Sequence, residues 1–199
     1  MLNVIVEDVL SEAVMQRLLS HVGYTGKPTC RVMRGNTKIK KGLPKYVGAS
    51  RFYPHIVLTD LDQYPCPPAL IENWNIGTLP ETMLFRVVVR EVEAWLMADR
   101  EGFSTFLNVA KEKVPFDPEE EVDPKQCLFS IVRKSRRRRL IEEIVPTAGA
   151  HIGPLYNMHF CSFVRENWQV AMAAENAPSL AKCIERLGFF IRKIDEGGN

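Results

Sequence analysis

Long apolar runs are missing from this chain, and no stretch approaches the ~20 residues that a membrane-spanning helix needs. The N-terminus has no basic segment leading into an apolar core, so no secretory leader is expected. Cysteine is sparse and poorly placed for cross-linking. Cys30, Cys66, Cys127, Cys161 and Cys183 are five in number, scattered and without a CxxC pair, which excludes a disulfide framework and a cysteine-rich zinc site. Reduced thiols in a cytoplasmic protein with no membrane association are the expectation. A dominant charge is also absent. The 26 basic and 24 acidic residues leave a net charge of +2, so an argument for nucleic acid must rest on where charge clusters.

Two acidic signals stand at the ends of apolar runs. Leu2-Asn3-Val4-Ile5-Val6 ends in Glu7, and His55-Ile56-Val57-Leu58-Thr59 ends in Asp60-Leu61-Asp62. β-Branched runs without alternation are the pattern of buried parallel strands, and ligands of such sheets bind beyond the strands' carboxyl ends. Residues two apart on a strand share a face, so Asp60 and Asp62 are expected to converge, joined by Glu7 if the strands are neighbours. Gathered carboxylates repel unless a cation neutralises them, and hard oxygen ligands suit Mg²⁺ or Mn²⁺.

Thr29–Met33 and Met83–Val89 add two further strand candidates. Helices are expected from Glu12 to His21 with Ser11 as cap, from Asn36 through a stretch interrupted by Gly42 and Pro44, and from Ala69 to Trp74 after a proline-rich loop. Beyond Asp99 every convincing segment is helical, and the acidic Pro115–Asp123 stretch reads as an exposed linker or loop. The last three residues, Gly197-Gly198-Asn199, read as frayed. The fold class is α/β, a small parallel sheet in residues 1–99 followed by an all-helical C-terminal half in residues 100–199.

The order of elements and acids resembles the Toprim fold, in which a glutamate ends the first strand and a DxD ends a later one. A looser resemblance extends to a Toprim-like family of uncharacterised proteins found in bacterial defence operons beside ATPases. It is carried by Val6-Glu7, Leu58-Thr59-Asp60-Leu61-Asp62, Arg90-Glu91-Val92-Glu93-Ala94-Trp95-Leu96 and Asp123-Pro124-Lys125. The resemblance implies a divalent-metal-dependent endonuclease with Mg²⁺ or Mn²⁺ on Glu7, Asp60 and Asp62. It also implies a partner ATPase in antiviral defence. Two departures stand out, since Asp8 replaces the glycine usual after the glutamate and Gln63 follows the DxD.

Glu91 and Glu93 offer a fourth carboxylate, and Glu93 is the better candidate because the resembling family carries a glutamate before Ala-Trp-Leu; the alternative is first-turn acids that favour a helix dipole. Arg86 and Arg90, four apart on a strand, share a face and suit a phosphate or the nearby acids. Two basic clusters are candidates for holding DNA or RNA: Lys38, Lys40, Lys41 and Lys45, and the run Arg133-Lys134-Ser135-Arg136-Arg137-Arg138-Arg139. A solvated helix start fits the second equally. His151, His159 and Cys161 lack metal-ligand spacing, and Trp74, Trp95 and Trp168 read as core anchors. A strand ending in DxD also suits a haloacid-dehalogenase-like phosphatase, although Tyr64 stands where that family has threonine. A non-catalytic, partner-binding Toprim-derived module is the third reading.

Overall fold

Residues 1–196 are described by the structure, a computed structural model; the Gly197–Asn199 expectation lies outside the described residues. The strands are β1 (Asn3–Val6), β2 (Thr29–Val32), β3 (His55–Asp60) and β4 (Met83–Val88), and they form one parallel sheet in the order β2-β1-β3-β4. The class is therefore α/β. β1, β3 and β4 match apolar runs of the sequence to within a residue or two, as strands of a covered parallel sheet do, whereas the edge strand β2 (Thr-Cys-Arg-Val) has no buried residue.

On one face Ile5, Val57 and Val87 pack against Ile39, Leu43 and Tyr46 of α2 (Asn36–Ser50) and Leu70 of α3 (Pro67–Asn73), with Trp74 at its end. Burying each such side chain stabilises the fold by about 1.5–3 kcal/mol. On the other face Val4, Val6, Ile56 and Leu58 are buried, and α1 (Val9–His21) packs against β1 and β2. Three boundaries differ from the sequence reading. Asp8, not Ser11, caps α1: its Oδ1 accepts from Ser11 N and Ser11 Oγ, each at 2.8 Å. Pro67 and Pro68 begin α3 instead of ending a loop, because first-turn residues need no N–H partner. Gly42 and Pro44 lie within α2 without dividing it.

The chain divides into two compact units: Met1–Val89 joined by the chain from Ala181 onward, and Arg90–Leu180. This partition departs from a division near residue 99. The first unit closes with strand β4, and most of α10 (Pro178–Glu196) returns to it, burying Cys183, Leu187, Phe190 and Ile191 and setting Lys193 Nζ 2.6 Å from Glu81.

The second unit is helical. Around α4 (Val92–Ala98), every residue of which is buried, lie α5 (Arg100–Leu107), α6 (Pro124–Val132) and α9 (Val170–Asn176), with α7 (Arg138–Ile144) and α8 (Tyr156–Glu166) completing it. Apart from Glu93 the helix is apolar on all sides, which places it at the centre of a core. Trp95 and Trp168 are fully buried, and their indole N–H groups donate to Ser179 Oγ (2.8 Å) and to the Trp95 carbonyl (3.2 Å). The acidic stretch before α6 is the connecting segment expected, mostly exposed, and it is pinned at three points. Pro118 is buried, Glu119 accepts from Ser179 N and Oγ, and Asp123 caps α6 through Gln126 N. No helix among the described residues is long and apolar enough to cross a membrane.

Candidate functional site

β1 and β3 are hydrogen-bonded neighbours with Ile5 opposite Val57, so Glu7 leaves β1 beside Thr59. Its Oε1 accepts from Thr59 Oγ1 at 2.5 Å and from the Asp60 backbone N–H at 2.9 Å. Burial raises the Glu7 carboxyl above its ordinary value, and the negative charges of Asp62 and Asp8 push it further; the Thr59 and Asp60 hydrogen bonds oppose them. Among the described residues, the leading influences on its charge include no basic side chain.

Asp60 and Asp62 do not share a face. Asp60 is the last residue of β3 and alternates with Thr59, so it projects to the side of Ile56 and Leu58, away from Glu7, and is buried. The strand then ends, and Asp62 adopts a left-handed backbone (φ 51) that breaks the alternation. That turn brings its Oδ2 within 2.5 Å of Asn36 Nδ2, at the start of α2. The expected convergence of three carboxylates is thus replaced by Glu7 and Asp62 on one side and Asp60 on the other.

The loop from β2 to α2 wraps the same edge. Arg34 N and Gly35 N donate to the Glu7 carbonyl at 2.6 and 3.4 Å, and Gly35 uses a φ of 116 that only glycine adopts without strain. Asp8, where a glycine was expected, has φ −141, which any residue adopts, so its replacement of glycine carries no backbone strain. The carboxylate of Asp8 instead serves the start of α1.

No group of three His, Cys, Asp or Glu residues that could hold a metal ion stands together among the described residues. The donor set of Glu7 and Asp62 still fits Mg²⁺, which keeps several waters and takes one or two carboxylates together with substrate phosphates. Lys38, Lys41 and Lys45 are exposed on α2, spaced to share one face. Lys40 is turned elsewhere, its Nζ donating to Asn73 O at 3.1 Å and Asn73 Oδ1 at 2.9 Å.

Arg86 and Arg90 do not form a strand-face pair, because β4 ends at Val88 and Arg90 takes a left-handed φ of 64 at the start of the second unit. Arg86 stays in the first unit, where its guanidinium acts on the buried Cys183 thiol. The Nε atoms of Arg86 and Arg90 are both buried without a hydrogen-bond partner among the described residues.

Glu93 lies in the second unit, within a cluster of its own. Its Oε1 accepts from Tyr156 Oη at 2.6 Å and lies 3.3 Å from Lys125 Nζ, which is also 3.5 Å from Glu91 Oε1. Lys125 N donates to Glu91 Oε2 at 3.2 Å. Burial first, then the neighbouring Glu93 charge, raises the Glu91 carboxyl to about 7, against the pull of Lys125. Sequence reasoning quoted Asp123-Pro124-Lys125 without assigning it a role, and Tyr156 carried no signal at all.

All six charges of the 133–139 run are exposed. Arg138 and Arg139 pair with Glu142 (3.4 Å) and Glu143 (2.6 Å), whereas the guanidinium groups of Arg136 and Arg137 make no ion pair among the described residues. His159 Nε2 lies 2.7 Å from Glu143, which accounts for that histidine structurally. His151 is exposed and Cys161 buried. No protein-family model, curated protein or solved structure matches the chain.

Proposed function

We propose that this chain is a divalent-metal-dependent endonuclease of Toprim type, hydrolysing phosphodiester bonds at the carboxyl edge of its sheet. The observation that carries the reading is Glu7. It is a partly buried carboxylate held by a hydroxyl and a backbone N–H, and the leading charges acting on it among the described residues are two further anions. An added cation relieves that repulsion. Glu7 and Asp62 would hold Mg²⁺ or Mn²⁺, and such an ion orients water and offsets charge that builds on phosphate. Asp60 is assigned a supporting role from the opposite face. The N-terminal end of α2, with exposed Arg34, Lys38 and Lys41, supplies positive potential for a phosphate backbone.

The remaining parts follow from the resemblance and the cysteines. A cytoplasmic effector controlled by an ATPase in anti-phage defence fits five cysteines that form no disulfide, which suits a reducing compartment. Asn36 on Asp62 favours a second reading, a partner-binding module in which that carboxylate is already satisfied.

Mn²⁺ binding followed by electron paramagnetic resonance, with cleavage of plasmid DNA and transfer RNA, separates the two. Purified protein is expected to bind Mn²⁺ more tightly as pH rises and Glu7 loses its proton. Glu7→Gln and Asp62→Asn are each expected to lower affinity by at least tenfold and to abolish cleavage. Absence of Mn²⁺ binding by the unaltered protein, with or without a partner ATPase, would leave the module reading.

A further inference from the structure

The second unit contains a cleft of about 530 Å³ that no part of the proposed chemistry uses. Its volume falls within the range of small-molecule sites, roughly 300–1,000 Å³. Thr105, Phe106, Arg137, Asn167, Gln169 and Met172 supply its walls. The chemistry of these walls is specific in kind. Phe106 is half-buried, with its ring centroid 5.0 Å from that of Phe163 and 6.0 Å from that of Phe160. Those contacts fix one side of the ring as a rigid platform. Met172, about half exposed at 49%, presents a polarisable thioether beside it.

The polar groups divide into those already used and those available. Asp99 lines the cleft, but its carboxylate accepts from Gly102 N at 3.0 Å and Gln169 N at 2.8 Å, and Glu101 is paired with Lys111 at 3.0 Å. The side-chain amide of Asn167 and the guanidinium of Arg137 have no hydrogen-bond partner among the described residues. Arg137 also continues into exposed Arg136 and, beyond Ser135, Lys134 and Arg133.

We infer that this cleft receives an unstacked nucleobase of a single-stranded nucleic acid, with Phe106 as the stacking face, Asn167 facing the base edge and Arg137 on the adjoining phosphate. An aromatic ring, an amide able both to donate and to accept, and a cation are the groups that single-strand binders combine. A duplex cannot deliver a base into the cleft without flipping it, so the site discriminates against paired strands. The inference deepens the endonuclease reading by naming the form of its substrate, and it rests on that reading only for the cutting step.

Binding is measured with the full chain in EDTA, so that no metal-dependent step contributes. Fluorescence anisotropy compares labelled single-stranded RNA, single-stranded DNA and the corresponding duplexes. Single strands are expected to bind at least tenfold more tightly than duplexes, and the two single strands together report which sugar is preferred. Phe106→Leu keeps apolar bulk within the aromatic cluster and is expected to weaken single-strand binding on the order of tenfold. Arg137→Ala should reduce the log–log salt slope by roughly 0.7 for a single strand. Equal affinity for single strands and duplexes overturns the inference, as does a folded Phe106→Leu protein with unchanged affinity. Loss of cleavage in Glu7→Gln with single-strand binding intact would uphold both readings separately, whereas failure of Mn²⁺ binding with single-strand binding intact would remove only the metal chemistry.

Discussion

Glu7 and Glu93 are both glutamates withdrawn from water, one directly after β1 and the other a few residues after β4, yet their charges are balanced in opposite ways. The second unit brings its own cation. Lys125 stands between Glu91 and Glu93, while Tyr156 donates to Glu93. The first unit gives Glu7 neutral donors only and adds the charges of Asp62 and Asp8. The second cluster holds a lysine between its two carboxylates, although Glu93 Oε2 stays buried without a hydrogen-bond partner among the described residues. A cluster left net negative stabilises whatever positive charge enters it. Two acidic groups in one small protein thus differ in whether a lysine of the chain stands among their carboxylates.

The largest expected effect tests the internal cation. Lys125→Met leaves Glu91 and Glu93 together without compensation. It should destabilise the protein by about 2–3 kcal/mol, the lower side of the range for broken buried pairs because Lys125 is partly exposed. Urea denaturation at pH 8 measures it, and a loss below ~0.5 kcal/mol would show that the lysine is not what balances the pair.

Acidity sharpens the contrast next. The Glu91 carboxyl is raised to about 7 in the folded state, so folded protein holds a proton that the unfolded chain releases near 4.5. That contribution to stability is fully present below 4.5 and is lost as pH rises through about 7. Glu91→Gln should therefore flatten the decline in stability across this window, by about 1–2 kcal/mol at pH 8, in denaturant titrations at stepped pH. A decline as steep as that of the unaltered protein would assign it to another group.

The smallest effect lies at Asp8. Asp8→Ala removes the cap of α1 and should cost about 1 kcal/mol, while taking one anion away from Glu7. Carboxyl NMR titration should then find the Glu7 value lowered. An unchanged Glu7 would show that Asp8 contributes nothing to that edge.

β1 and β3 were legible because burial on both faces leaves a continuous apolar run, and Glu7 and Asp60 were legible as the polar residues that end them. The side on which each acid emerges was not. That depends on Asp62 adopting φ 51, which its sequence neighbours do not dictate and which the Asn36 amide accompanies from 26 positions away. Asp8 was misread for a related reason: a position judged by the glycine it replaces hides its use as a cap. The place of Glu93 was invisible because Lys125 and Tyr156 reach it from 32 and 63 positions along the chain, with no periodicity linking them.

The interrupted first unit has a consequence for synthesis. Its sheet emerges from the ribosome by Val88, but the α10 segment that packs with it, from Ala181 onward, follows only after the whole of Arg90–Leu180. At about 5–20 residues per second, that intervening stretch imposes a delay of roughly 5–18 seconds. During that interval the helical unit can complete its own core around α4, while the sheet waits with its Cys183 and Leu187 partners still unmade. The second unit can therefore complete its core before α10 returns to the first.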